Sequence, residues 1–396
     1  MSHSLLIYEP KADGHAAEFL LWAVQAWQHC GAPDCLVVAA PANVLSLRPA
    51  LGDALAETPG ATFVAIEPDT SSAFDALRRA AALNAVLRAS PTDHVLVMSF
   101  EHLLLPLAAR IAIPGRTRLS ALSFRPVLHY TEIGSPPRSA REAATRWAKT
   151  RLARRALRHP AMEALLSLDE AAVPALRALA PGLPVTAVPD PVPPEVAHLT
   201  PAQVRSSYGV AAGRRLVVLP GTLDIRKGAL ALPEALLRMD AAVGAGLAVL
   251  MAGVIPSDAA RAVRALCARV AAETPVQMIL HDAYVPLGEL SSVVAAADLV
   301  ALPYDQHVGS SGFQMRAAAA GVPALTQAWG LMGHLARTHR LGPTADPADP
   351  EAFARALAAA LAGDTHFDAA AARAFSAAHT VEAFGAALLA PVLGLP

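Results

Sequence analysis

The residues best suited to chemistry lie in the second half of the chain. A strand-like run from Asp298 to Leu302 leads through Tyr304-Asp305-Gln306-His307-Val308 into Gly309-Ser310-Ser311-Gly312. An alanine-rich helix opens directly behind that turn and ends before Gly321-Val322-Pro323. Backbone N–H groups, two hydroxyls and the positive end of a helix dipole would converge there, which is how proteins hold a phosphate without a metal. A second loop has the same character. Pro220-Gly221-Thr222-Leu223-Asp224-Ile225-Arg226-Lys227-Gly228 follows the strand-like Leu216–Leu219 and precedes a helix with Leu232, Leu236 and Leu237. Gly221 permits close backbone approach, and Arg226 and Lys227 place charge near the helix start. Singly, a Ser-Ser-Gly before a helix is ordinarily an N-cap, and an Arg-Lys pair is ordinarily solvated surface. Two such loops after strands of one sheet favour a shared ligand, and two anion sites suit a diphosphate.

The first half offers weaker candidates. Gly14-His15 stands just ahead of an apolar helix, Glu101-His102 lies just past a strand end, and Phe124-Arg125-Pro126-Val127-Leu128-His129-Tyr130 combines an arginine, a histidine and a tyrosine. A lone histidine is more often structural than functional, so these need support from elsewhere. One local charge imbalance is plain: Arg138, Arg141, Arg146, Lys149, Arg151, Arg154, Arg155 and Arg158 face a single acid, Glu142. A solvated helix face, a membrane-surface contact and a site for an anionic acceptor all fit segment 138–158.

Short apolar runs alternate with helix-like runs almost throughout. Leu5–Tyr8, Leu36–Ala39, Phe63–Ile66 and Val95–Met98 read as strands, and Ala16–Trp27 carries Phe19, Leu20, Ala23, Val24 and Trp27 on one helical face. The strand runs are continuous rather than alternating, as in parallel strands covered on both faces. Pro181-Gly182-Leu183-Pro184 and Val188–Pro194 then form a proline-rich stretch that reads as a linker. After it the pattern restarts at Leu216–Leu219, Leu247–Met251, Val276–Leu280, Leu299–Leu302 and Ala324–Thr326. The expected architecture is α/β: two Rossmann-like doubly wound domains facing across a cleft, residues 1–190 and 195–377. An apolar helix within 378–396 is expected to dock back on the first domain.

With 396 residues two domains are the first expectation. Alanine inflates the 54% hydrophobic content, aromatics are only 5%, and no apolar run reaches the length of a spanning helix. A net charge of −1 argues against nucleic acid, and the basic segment has little aromatic interleaving beyond Trp147. Cys30, Cys35 and Cys267 cannot all pair and fit no metal framework. With no signal-peptide pattern at the N-terminus, a cytoplasmic location is expected. Oligomeric state is not legible.

In order and spacing, the second half resembles the nucleotide-sugar domain of GT-B glycosyltransferases, in particular the large retaining group. Gly221 through Lys227-Gly228 is similar to that group's Gly-Arg-x-x-x-x-Lys-Gly loop. Val285-Pro286-x-x-Glu289-Leu290 and Ala296-Ala297-Asp298 through Pro303 resemble its base-binding loop and following strand, and Ala317 to Gly321-Val322-Pro323 its segment behind the phosphate helix. Gly14-His15 and Phe124–Tyr130 resemble acceptor-side segments more loosely.

The resemblance implies transfer of a sugar from a nucleotide diphosphate sugar to an unidentified acceptor, with retention, without a metal and with no other cofactor. The departing phosphate would take the acceptor's proton, so no protein nucleophile is required, and no Asp-x-Asp motif is present. It implies Gly14, Thr222, Arg226, Lys227, Gly309, Ser310, Ser311 and Gly312 at the donor diphosphate, and Tyr284 and Val285 at the base. Arg125, Tyr130, Glu101 and His102 would meet acceptor or sugar. Lys227 would stabilise the departing charge, while His129 or His15 would align the sugar. Two departures stand out. The group's paired glutamates are replaced by Val308 and Arg316, and its first-loop arginine by Thr222, for which Arg226 is the substitute. Arg316 would pair with the phosphates only if it faced the turn. The competing readings are a catalytically impaired GT-B-like binding protein and a nucleotide-sugar epimerase or hydrolase of the same architecture.

Overall fold

The computed structural model describes residues 4–12, 14–30, 35–67, 75–126, 128, 133–192, 197–363 and 366–394, with the backbone alone at Gly14 and His15. The chain forms two compact units. One comprises Met1–Glu132, Pro136–Pro191 and Val381–Pro396; the other comprises Ile133–Ser135 and Val192–Thr380.

In the first unit β1 (Ser4–Tyr8) leads to α1 (Gly14–His29), β2 (Cys35–Pro41), α2 (Val44–Leu47), α3 (Pro49–Glu57) and β3 (Ala61–Ile66). Then come α4 (Asp75–Ala89), β4 (His94–Val97), α5 (Phe100–Ala108), β5 (Arg118–Ser123), α6 (Ala140–Ala156), β6 (Met162–Ser167), α7 (Val173–Leu179) and β7 (Val185–Ala187). The strands are parallel in the order β3-β2-β1-β4-β5-β6-β7. The register sets Ile7 beside Val38 on one side and Leu96 on the other. Leu5 and Ile7 enter the core under α1 and α3, and Leu6 and Tyr8 the core under α4 to α7, so β1 has no polar face. That is why its sequence is a continuous apolar run.

The second unit runs α8 (Pro201–Ser207), β8 (Arg215–Pro220), α9 (Ala231–Leu236), α10 (Ala241–Ala245), β9 (Leu247–Ala252), α11 (Ala260–Glu273), β10 (Gln277–His281) and α12 (Leu287–Ala295). It continues with β11 (Leu299–Leu302), α13 (Gly312–Ala320), β12 (Ala324–Gln327), α14 (Gly330–Thr338), β13 (Thr344–Ala345), α15 (Pro350–Leu361) and α16 (Ala369–Ala378). Its parallel sheet has the order β10-β9-β8-β11-β12-β13. The final helix, α17 (Val381–Leu393), belongs to the first unit and packs on α1, with Phe384 edge-on to Phe19 at 5.1 Å between ring centroids. Among the described residues no single helix is long and apolar enough to cross a membrane; the bent pair α16–α17 meets that test only jointly, and the apolar residues of α17 are buried in the first unit.

Several elements differ from the sequence reading. Val185–Ala187, inside the stretch read as a linker, is the edge strand β7 paired to β6; prolines flank it, and an edge strand tolerates them. Strands β5, β6 and β13 were not expected either. Met162-Glu-Ala-Leu-Leu-Ser is rich in helix formers, and pairing with β5 and β7 overrides that preference.

The first sheet holds one buried titratable group of consequence. His94 is 1% exposed at the start of β4, with Nε2 2.9 Å from Ser120 Oγ. Its Nδ1 lies 3.4 Å from Glu163 Oε2 without a hydrogen bond, while Arg118 pairs with the other carboxylate oxygen, Oε1, at 3.1 Å. Burial, then the Arg118 charge, pushes the imidazole down to about 4. The unfolded ring gains a proton near pH ~6.5 and the folded ring only near 4, so stability is full above pH ~6.5 and lost as pH falls towards 4. The gap is worth on the order of 3 kcal/mol. Urea midpoints of His94→Gln should therefore decline less than wild type between pH ~7 and ~4.5; parallel curves would assign the acid limb to other groups.

Candidate functional site

In the second unit β8 pairs with β9 on one side and β11 on the other, so the strand order reverses there. The crevice beyond the carboxyl ends of strands at such a point is where doubly wound sheets bind ligands. The loop after β8 is Gly221–Gly228, and the loop after β11 runs through Gly309-Ser310-Ser311 to α13. The topology thus brings both sequence candidates to one place.

Three contacts fix the loops to each other. The Asp305 N–H donates to the Arg226 carbonyl at 2.7 Å. Gly228 is left-handed (φ 87°), and a Cβ there would lie 2.3 Å from the Pro303 carbonyl oxygen. The Phe313 ring covers Gly221 (φ 89°), where a Cβ would sit 2.6 Å from the ring. No other residue type fits either position without displacing backbone or ring.

Within the first loop Asp224 caps a 3₁₀ turn, Ile225–Lys227, accepting the Lys227 N–H at 2.7 Å. The Asp224 carboxylate also faces Arg226 at 3.7 Å. Arg226 Nη1 lies 3.4 Å from His307 Nδ1, while His307 Nε2 is 2.8 Å from the Ser310 carbonyl oxygen. A carbonyl only accepts, so Nε2 carries the proton and Nδ1 receives the guanidinium N–H. Buried His307 therefore joins the cationic loop to the glycine-serine turn. Neither His307 nor Asp224 was assigned a role from the sequence. An Asp three residues before Lys227 is a legible capping signal, but the bridging role of His307 has no local signature.

The turn differs in one respect from the expectation of two hydroxyls at a helix start. Ser311 is buried and its Oγ donates to Tyr304 Oη at 3.2 Å, and no side chain caps α13. Burial pushes the Tyr304 hydroxyl up despite that bond. The amides of Gly312 and Phe313, in the first turn, have no intrahelical acceptor, and the space in front of Gly312 is open. Gly309 is buried and Ser310 half-buried. The Arg-Lys pair does not sit at a long helix; α9, which follows, has six residues.

Other candidates separate. Thr222 is exposed beside Gly221. Tyr284 is 79% exposed, whereas the Val285 side chain is buried in the core with Val218 and Leu250. Arg316 Nη1 donates to Ser291 Oγ on α12 at 3.3 Å, a neighbour outside the glycine-serine turn. Val308 uses its carbonyl to accept from Leu331 N–H at 2.8 Å.

The first unit repeats the logic with opposite charge. Its order reverses at β1 and β4. Beyond their ends, buried Glu9 accepts from Ser99 Oγ at 2.6 Å and Lys11 N–H at 2.8 Å. Glu101, at the start of α5, accepts from Ser123 Oγ at 2.6 Å and the Arg125 N–H at 3.1 Å. Burial raises the Glu101 carboxyl, against the opposing pull of these donors. Glu101 and Arg125 are thus neighbours, and Glu9 is a residue the sequence reading missed. His102 is half-buried and its carbonyl accepts from Arg79. Phe124 of the same motif packs against Phe19 with ring centroids 4.8 Å apart and the planes tilted by 60°, a packing role. Gly14 opens α1; the His15 side chain, His129 and Tyr130 lie outside the described residues. Among the described residues no group of three His, Cys, Asp or Glu side chains is arranged to hold a metal.

Lys227 is half-buried, and desolvation pulls its ammonium down, against Asp224 and with help from Arg226. A depressed lysine costs stability below its folded pKa and is relieved as pH rises through it. Lys227→Met should therefore melt higher than wild type at neutral pH without ligand, by a margin that shrinks in alkali. A lower melting temperature at neutral pH would mean that attraction to Asp224 outweighs burial.

No family model matches the chain, and no curated protein matches it in sequence. Solved structures do. HepE of Anabaena, in complex with UDP, superposes with TM-score 0.70 at 16% identity, over 99% of this chain and 100% of that one. WaaG, a glycosyltransferase involved in lipopolysaccharide biosynthesis, gives 0.61 at 16% identity over 98% of each. A UDP-forming α,α-trehalose-phosphate synthase from Burkholderia xenovorans gives 0.66 at 13% identity, over 100% of this chain and 99% of that one. At these identities the likeness is one of fold: the chain shares with them the two Rossmann-like domains of GT-B type.

Proposed function

We propose that this protein is a glycosyltransferase that moves a sugar from a nucleoside diphosphate sugar to an acceptor hydroxyl, with retention and without a metal. The observation that carries this reading is the pair of anion-suited loops at the β8/β11 reversal, tied together through Arg226, His307 and Phe313. In the reaction the bond from the anomeric carbon to the phosphate oxygen breaks and a bond to the acceptor oxygen forms on the same face. The acceptor proton passes to the departing phosphate. The protein's task is then to stabilise charge growing on the diphosphate, assigned to Lys227, Arg226 and the amides of Gly309 to Phe313. One preorganised donor of this kind is worth about 3 kcal/mol. His129 and His15 are assigned to the sugar, and Glu101, His102, Arg125 and Tyr130 to acceptor or sugar. The UDP complex of HepE and the UDP-forming synthase make a uridine donor the first to test.

A second reading, a binding protein without turnover, draws support from Val308 and Arg316 standing where the resembled group has carboxylates, with Arg316 engaged on Ser291. A melting-temperature screen against UDP, GDP, ADP, dTDP and their sugars tests both readings. One nucleotide should stabilise the wild type, by about 2.7 kcal/mol at a hundredfold excess over Kd, and Lys227→Ala should abolish the shift. Absence of any shift at about millimolar nucleotide would refute the donor site. Binding without even slow hydrolysis of the matching nucleotide sugar would favour the binding protein.

A further inference from the structure

We infer that the outer face of α6, with α5 and α4 beside it, docks this protein on an anionic lipid surface. Ala153, Ala156 and Leu157 turn α6 into the core of the first unit. Trp147, Arg151 and Arg154, at i, i+4 and i+7, share the opposite face and are exposed. Arg141, Lys149, Arg155 and Arg158 are exposed as well. The segment's one carboxylate, Glu142, is bound to Arg146 and to the Arg138 N–H.

A merely solvated helix should balance its charges locally, as α11 does with Arg269–Glu273 and α15 with Arg355–Glu351. The helix dipole accounts for cations in the last turn but opposes Arg141 in the first. A concentration of eight cations against one carboxylate in a chain of net charge −1 calls for an anionic partner.

The apolar component selects the partner. Trp147 is 62% exposed, with the Arg151 guanidinium 4.7 Å over its ring. The neighbouring helices of the same layer each leave a large apolar side chain outward: Leu105 on α5 and Leu77 on α4. Tryptophan among arginines is the composition of a membrane interface, where the ring sits at headgroup depth and the charges meet phosphates. Single-stranded nucleic acid would ask instead for a row of stacking aromatics, and α6 has one.

Full-length protein should bind vesicles of equimolar phosphatidylcholine and phosphatidylglycerol and not phosphatidylcholine alone. Raising ionic strength from about 0.05 to 0.5 M should release it. Of the four tryptophans Trp22 and Trp27 are buried and Trp329 is half-buried, so the fluorescence should shift to the blue on binding, chiefly through exposed Trp147. Arg151→Gln/Arg154→Gln/Arg155→Gln should lower partitioning on the order of 100-fold with an unchanged melting temperature, and Trp147→Ala should remove the blue shift. Equal binding to neutral vesicles, undiminished binding of the triple variant, or tighter binding to a single-stranded oligonucleotide than to anionic vesicles would each overturn the assignment.

Discussion

The close approach of the loop after β8 to the end of β11 is the constraint from which the second unit's site follows. Adjacent parallel strands lie about 4.8 Å apart, so their loops begin at a separation that suits one diphosphate. What keeps them there is backbone contact: Arg226 carbonyl to Asp305 N–H, and Gly228 against the Pro303 carbonyl. A side chain at residue 228 would push the strands' exits apart and carry Lys227 away from the turn. The cations are thus held by the backbone rather than by one another, which matters for groups of like charge.

Asp224 gives the two cations different freedom. Lys227 takes its backbone position from the Asp224 cap and is half-buried, whereas Arg226 is exposed and faces Asp224 at 3.7 Å. A pair that open contributes roughly 0–1 kcal/mol, so an arriving phosphate can draw Arg226 away at little cost. Lys227 behaves as a fixed charge and Arg226 as one that can follow the ligand. A fixed, partly desolvated ammonium is the more useful of the two when negative charge grows on a departing group.

The sequence made the frame legible because the signals for parallel strands and glycine turns are local. Leu216–Leu219 and Leu299–Leu302 are apolar because both faces are covered, and their loops carry glycines where the backbone must come close. What stayed hidden depends on partners distant along the chain. His307 is unremarkable until Arg226, 81 residues away, is placed beside it, and Glu9 until Ser99, 90 residues on, donates to it. Strand β6 was hidden for a related reason, since its helix-forming residues pair only in the context of β5 and β7. Arg316 shows a related case: its direction was open from the motif, and only the packing of α13 beside α12 brings it to Ser291.

The two units apply one topology to opposite chemistry. At the reversal of the first sheet the polar groups are the carboxylates of buried Glu9 and half-buried Glu101, each met by hydroxyl and N–H donors. At the reversal of the second they are Lys227, Arg226 and helix amides. Fold alone does not produce this difference, because both crevices arise from the same strand order. The loop residues do. Carboxylates that accept O–H and N–H groups suit a polyhydroxylated partner, and cations with free amides suit a diphosphate. On the proposed function, this asymmetry of charge between two similar folds is the physical reason for assigning acceptor and donor to different units.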